Sequence, residues 1–333
     1  MIKGRTCLFL LTIIINLSCA NFTEIPIPDY EPQLVINCLF NPDSTWKVNV
    51  SQNSALNRSD FLPDYITNAE IHLWENDQHL GTLEYTVNGN YELNQFPKVG
   101  FKYKLTVSAP GFPEVSAMDS IPIVPQEFQV TWDLNDPTPI INDLGLTVTR
   151  YPVSLTFKDI PDQNNYYKIQ SVMRDSCNCI NATPPFVDRY GDRLYLLEVF
   201  TKDPIVSSVS KKHKLILFDD NSFKNQMKNI VFYQQDTLSL NYGYRQIKQN
   251  DSIRFPFTYQ PINANTPRKD KVDVYVDFWS ISQSLYEFYL TYLIQAYNTA
   301  DPFSTHINVR SNIVGGKGIF GGYQQKLILV YSH

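Results

Sequence analysis

Three glycines near the end of the chain, Gly316, Gly318 and Gly321 in "SNIVGGKGIFGGY" (Ser311–Tyr323), spell G-x-G-x-x-G. That spacing cradles a dinucleotide pyrophosphate when the glycines follow a strand and open a helix, whose first amides bind the phosphate. Here the next residues, "YQQKLILVYSH", alternate like a strand and run to His333, which leaves no room for the helix or for an acidic residue some twenty positions on. A phosphate loop fails as well, because Gly318 rather than Ser or Thr follows Lys317. The stretch holds five of the thirteen glycines of the chain. Its reading is therefore structural: a kinked or bulged entry into the last strand, or a close crossing of two backbones.

Other residues with chemical potential give equally sparse patterns. The five histidines, His72, His79, His213, His306 and His333, show no H-E-x-x-H spacing. His72 and His79 fall on or beside neighbouring strands, where solvent exposure accounts for them. "FDDN" (Phe218–Asn221) offers hard oxygens to calcium but lacks the spaced ligands and glycine of a calcium loop. A turn closed by its Asp and Asn side chains is the expectation. No G-x-S-x-G nucleophile elbow occurs, and no carboxylate pair is marked out for glycosidase work. Cys38, in the alternating "LVINCLF", reads as a buried unreactive thiol. Cys177 and Cys179, one residue apart, make an awkward mutual disulfide and too few ligands for zinc. A loop-closing bridge from one of them, or a redox-silent pair, is left open. The expectation is a non-enzyme with no catalytic residue, no cofactor and no metal site.

The N-terminus carries a clearer signal. Lys3 and Arg5 precede "CLFLLTIIINL" (Cys7–Leu17), an apolar run of eleven residues. That is about half the roughly 20 residues a membrane-crossing helix needs, and it fits the apolar region of a secretory signal over residues 1–18. Ser18 then precedes Cys19, the order of a bacterial lipobox, although Asn16 stands where Leu is usual. Acylation of Cys19 would anchor the protein, each buried methylene contributing roughly 0.8 kcal/mol. Residues 19–32, "CANFTEIPIPDYEP", read as a lipid-anchored, semi-rigid tether.

Without Lys3 and Arg5 the chain has 26 basic against 33 acidic side chains, a formal charge of −7. Its densest basic run is "KKHK" (Lys211–Lys214). That balance excludes a concentrated positive face for nucleic acid.

These residues must be positioned by strands. Residues 33–122 are short alternating runs, "LVINCLF", "WKVNVSQ", "AEIHLWE", "HLGTLEYT", "NYEL", "FKYKLTVSA" and "PEVSAMDSI", divided by turn residues. Seven such runs predict an antiparallel β-sandwich, with a hairpin at Asn88–Gly89. The stretch 123–145, rich in Pro and Asn, predicts a linker. Residues 146–333 predict a second, larger antiparallel β domain, drawing on 41 Tyr and Phe across the chain. Its runs include "LTVTRYPVSLTFKD", "RLYLLEVFT", "SIRFPFTYQ" and "KVDVYVDFWSI". One helix is predicted over 282–298, capped by Ser284 with Glu287 or by Ser282.

The first module resembles transthyretin- or immunoglobulin-like sandwiches. The late segment, Asn312, Ile313, Gly315, Gly316, Gly318, Ile319, Phe320 and Gly321 after the Tyr-rich helix, resembles a Bacteroidota outer-membrane lipoprotein family, domain of unknown function 4249. "LTFKDIPDQNNYYKI" (Leu155–Ile169) and "LFDDNSFKN" (Leu217–Asn225) match it in order. The "DSCNC" loop and Asn16 depart from it. The resemblance implies an outer-membrane lipoprotein associated with TonB-dependent, SusC-like receptors, as an accessory or ligand-capturing subunit. The alternatives are a surface adhesin or structural β module, and a secreted hydrolase.

Overall fold

The computed structural model describes residues 31–54, 63–141, 147–176, 192–209, 215–234, 271–298 and 307–332. Cys19, nearly all of the tether, Cys177, Cys179, His213, His306, His333 and the expected strand "SIRFPFTYQ" lie outside them. The described residues are mainly β, in largely antiparallel sheets with a single helix.

The first sandwich follows the alternation of its sequence. One sheet holds β1 (Leu34–Phe40), β2 (Trp46–Gln52), β3 (Asp64–Tyr65), β6 (Glu84–Tyr85) and β7 (Asn90–Leu93). The other has the order β5 (Gln78–Thr82), β4 (Glu70–Glu75), β8 (Lys102–Ser108), β9 (Val115–Ser120). Leu34, Ile36, Cys38 and Phe40 point inward from β1, and Ile71 and Leu73 from β4, because successive strand residues face opposite sides. They close around Trp46, whose ring lies 4.7 Å from Phe40 and 4.8 Å from Tyr103. The Asn88–Gly89 hairpin is present, both residues having positive φ, and it joins β6 to β7. The run "HLGTLEYT" is two strands in different sheets. Buried Leu83 makes the crossing and donates its N–H to the Ile71 carbonyl.

The second sandwich sets the sheet β10 (Phe128–Trp132), β12 (Thr147–Lys158), β17 (Met227–Gln234), β15 (Val199–Thr201) against another set of strands. That set is β13 (Tyr166–Ser176), β14 (Asp192–Leu197), β16 (Ile216–Asp219), β18 (Lys271–Ile281) and β19 (Lys317–Ser332). Phe157 is central to the core between them, 5.2 Å from Tyr167 and 5.0 Å from Phe278. The expected linker 123–145 instead supplies β10 and β11 (Thr138–Ile141), both paired with β12. Pro125 and Pro137 lie outside these strands. Pro139 lies within β11, which among the described residues pairs only with β12 and so has a free edge for a residue with no N–H.

β19 joins the two parts. Residues 317–322 run parallel to β1, and Tyr323–Ser332 run antiparallel to β18. One sheet, β14-β13-β18-β19-β1-β2-β7-β6, therefore passes through both sandwiches. The expected separation of 33–122 from 146–333 does not hold at this seam, since Ile313 and Phe320 fill the first core. Helix α1 (Gln283–Asn298) packs on the seam through Leu285 and Leu293. Its cap is Ser282, whose Oγ accepts the Leu285 N–H at 3.2 Å.

Candidate functional site

The glycine segment is a backbone crossing. Gly318 has φ +106, and a Cβ there would run into the Ile36 carbonyl of the paired strand. A Cβ on Gly322 would meet the backbone of Ser120 on β9. Gly315 and Gly316 lie against Val115 and the Leu34 carbonyl, and Gly321 against the Leu285 side chain. On the edge of β19 away from β1, the Asn312 carboxamide takes both backbone groups of Phe320, and Asp119 and Ser282 take those of Gly322. The segment thus satisfies a buried strand where no neighbouring strand can.

A second cluster brings together the two family-like segments that lie over 50 residues apart. Asp159 directly follows β12, ahead of the turn, and its Oδ2 accepts the Asn225 N–H at 2.9 Å. Its Oδ1 accepts the Tyr167 hydroxyl at 2.6 Å and the Asn165 amide at 3.3 Å. The Asn165 backbone N–H and its side-chain amide both donate to Asp220 Oδ2 at 3.0 Å. Asp159, Asn165 and Asp220 are all buried. Burial pushes the Asp220 carboxyl above the usual carboxylate range, and likewise drives the Tyr167 phenol up.

Above this network lies an open depression of about 220 Å³, lined by Asp162, Gln163, Asn164, Lys224 and Asn225. Lys224 Nζ donates to Asn164 Oδ1 at 2.6 Å. Asp162 and Asn225 both have positive φ, and the Asp162 N–H reaches Asn225 Oδ1 at 3.3 Å. Every lining group is a hydrogen-bonding one, mounted on turns that the buried carboxylates hold rigid. "FDDN" is the expected turn, with Asp219 Oδ1 accepting the Asn221 N–H at 3.0 Å. Among the described residues no group of three or more His, Cys, Asp and Glu converges as a metal site.

A third cluster sits where the sheet meets α1. Lys168, 5% exposed, stands 3.5 Å over the Trp279 ring and 5.0 Å from the Tyr289 ring. Trp279 stacks on Tyr323 at 4.2 Å, and Asn41 donates to the Tyr323 hydroxyl at 2.5 Å. Asp277 on the same face accepts amide protons from Gln170 and Gln325 at 2.7 and 2.8 Å. Burial brings the Lys168 amine down to about 8, against the pull of Asp277. A desolvated cation over a ring contributes roughly 2 kcal/mol, so this cluster stiffens the seam.

Of the residues singled out in the sequence, the structure gathers Asn312, Gly315, Gly316, Gly318, Phe320 and Gly321 at one crossing. It leaves His72 and His79 on the outer face of the first sandwich, and Cys38 buried as a free thiol whose acidity burial suppresses. Asp159, Asn165 and Lys168 carried no sequence signal of their own; only their segments did.

A tandem β-sandwich with a shared sheet and one packed helix defines a mainly β protein. Residues 22–327 match the family described as domain of unknown function (DUF4249), and the chain belongs to that family. A search of curated proteins finds no match.

Proposed function

We propose that the chain is a lipid-anchored outer-membrane protein that serves as an accessory, ligand-capturing subunit of a TonB-dependent, SusC-like transporter. The observation that carries the capture role is the paired-turn site. Two segments distant in sequence converge into an open depression lined by polar side chains over the buried Asp159–Asn165–Asp220 network, and these donors and acceptors suit a ligand rich in hydroxyl and amide groups. The basic start, apolar run and Ser18–Cys19 supply the anchor. Fourteen residues lie between Cys19 and Leu34 at the start of β1, so a fully extended tether holds the body within roughly 50 Å of the bilayer.

The anchoring half is tested by metabolic labelling with an alkyne fatty acid, followed by membrane fractionation. Label on the wild type, and its loss together with release from the membrane in Cys19→Ala, is the expected result. An unlabelled wild type, or a Cys19→Ala protein that stays with the outer membrane, contradicts it.

A further inference from the structure

The outer face of the first sandwich carries a histidine pair that the paired-turn site does not use. His72 projects from β4 beside Glu70 and Trp74, while the inward Ile71 and Leu73 are fully buried and fix the strand. The hairpin to β5 turns at Asn76 and Asp77, both with positive φ, and its Asn76 side chain accepts the Lys102 N–H at 3.0 Å. A register shift at Leu73/Trp74 places His79 opposite Trp74 and Thr82 opposite His72. The three rings His72, Trp74 and His79 form a triangle with centroids 5.4 to 5.8 Å apart.

The imidazole nitrogens of this pair face one another. His72 Nδ1 lies 3.4 Å from His79 Nε2 and 3.0 Å from Thr82 Oγ1. On its other side His72 Nε2 meets Glu70 Oε1 at 3.0 Å. A carboxylate there holds the proton on Nε2, leaving Nδ1 as an acceptor between the strands, where it meets the Thr82 hydroxyl that an incoming ion would displace. This is the outer support that metal-ligating histidines generally have. Two nitrogens at the zinc–nitrogen distance of about 2.0–2.1 Å from one ion, at a tetrahedral angle, stand about 3.4 Å apart.

We propose that His72 and His79 form a surface site for a divalent transition ion of the Zn2+ or Cu2+ class. Glu70 acts as a positioning residue for His72, and the rigid hairpin sets the spacing. Two protein ligands leave further coordination positions open on the solvent side, where water or the donor atoms of a chelating ligand complete the shell. Imidazole donors suit these ions, and calcium or magnesium, which prefer oxygen, are not expected to bind.

The test is calorimetric titration of the full mature chain, without a polyhistidine tag, with ZnCl2 and with CaCl2. The expected result is one Zn2+ per chain in the micromolar range and no Ca2+. His72→Ala or His79→Ala weakens Zn2+ at least tenfold, and Glu70→Gln about tenfold. His213→Ala/His306→Ala leaves the binding unchanged. Both His72 and His79 variants lie on an exposed face, and thermal unfolding without zinc, unchanged from wild type, shows that they fold. Absence of Zn2+ binding up to millimolar concentration overturns the proposal. So does binding that survives His79→Ala undiminished, or that vanishes in His213→Ala/His306→Ala.

Discussion

The carboxamide of Asn312 grips both backbone groups of Phe320: its Nδ2 donates to the Phe320 carbonyl at 2.7 Å, and its Oδ1 accepts the Phe320 N–H at 2.9 Å. A single side chain thus stands in for a missing neighbour strand beside the first half of β19. It holds Phe320 where its ring can pack 4.6 Å from Phe40 in the first core. Asn312→Ala strips two buried backbone groups of their partners and is expected to cost about 2–3 kcal/mol. Asn312→Asp keeps the acceptor but places an oxygen against the Phe320 carbonyl, and is expected to cost more. Chemical denaturation of the three proteins checks the order.

The glycines of the crossing are not equivalent. Gly318→Ala meets both a positive φ and the Ile36 carbonyl, and Gly322→Ala meets the Ser120 backbone, neither of which can turn away. Gly321 faces Leu285 Cβ and Cδ1 at 3.1 Å, a contact that a shift of a few tenths of an ångström relieves, unlike the backbone clashes at the other two. Gly318→Ala and Gly322→Ala are each expected to lose at least about 2 kcal/mol, and Gly321→Ala distinctly less. Equal melting temperatures for all three variants would contradict the crossing.

Asp119 links three elements: Oδ2 accepts the Ser282 hydroxyl at 2.6 Å and the Gly322 N–H at 3.2 Å, and Oδ1 accepts the Ser120 N–H. Burial outweighs these bonds and raises its carboxyl to about 6. The folded state therefore binds a proton more readily than the unfolded chain between about pH 4 and 6. The burden of the buried charge is fully present above pH 6 and lifts as pH falls through that window. Relative to Asp119→Asn, wild-type stability is expected to rise by on the order of 2 kcal/mol from pH 7 to pH 4.5. Paired urea titrations measure it, and parallel pH profiles would refute the assignment.

Asn165 supplies amide protons to two buried carboxylates and to the Ile160 carbonyl at 2.7 Å. Asn165→Ala leaves Asp159 and Asp220 short of donors, and a loss of about 3 kcal/mol is expected. Amide exchange should quicken at Asp162 and Asn225, whose turns rest on this network. Lys224→Ala, at the exposed rim, is expected to stay within about 0.5 kcal/mol of wild type.

Strand positions were largely legible because period-two burial is a local property: β1, β2 and β18 occupy the very runs "LVINCLF", "WKVNVSQ" and "KVDVYVDFWSI". Strand partners were not. Nothing near Leu34 announces that it will lie beside a strand almost three hundred residues later, and a parallel pair has no turn to betray it. "RLYLLEVFT" likewise reads as one strand, yet it divides into β14 and β15 in different sheets. The helix was legible, with Ser282 chosen as cap because Asp119 orients its hydroxyl. At the paired turns, "PDQNN" looks like any solvent-facing loop. Asn165 is buried only because the Asp220 turn, 55 positions on, closes over it.

The partnership is tested most directly by affinity purification of the acylated, tagged protein from detergent-solubilised outer membrane after mild crosslinking, with quantitative mass spectrometry of what accompanies it. A TonB-dependent barrel recovered in near-equal molar amount is the predicted result. Recovery of the lipoprotein alone, with the barrel left in the flow-through, would contradict the account and favour the adhesin or structural reading of the same fold.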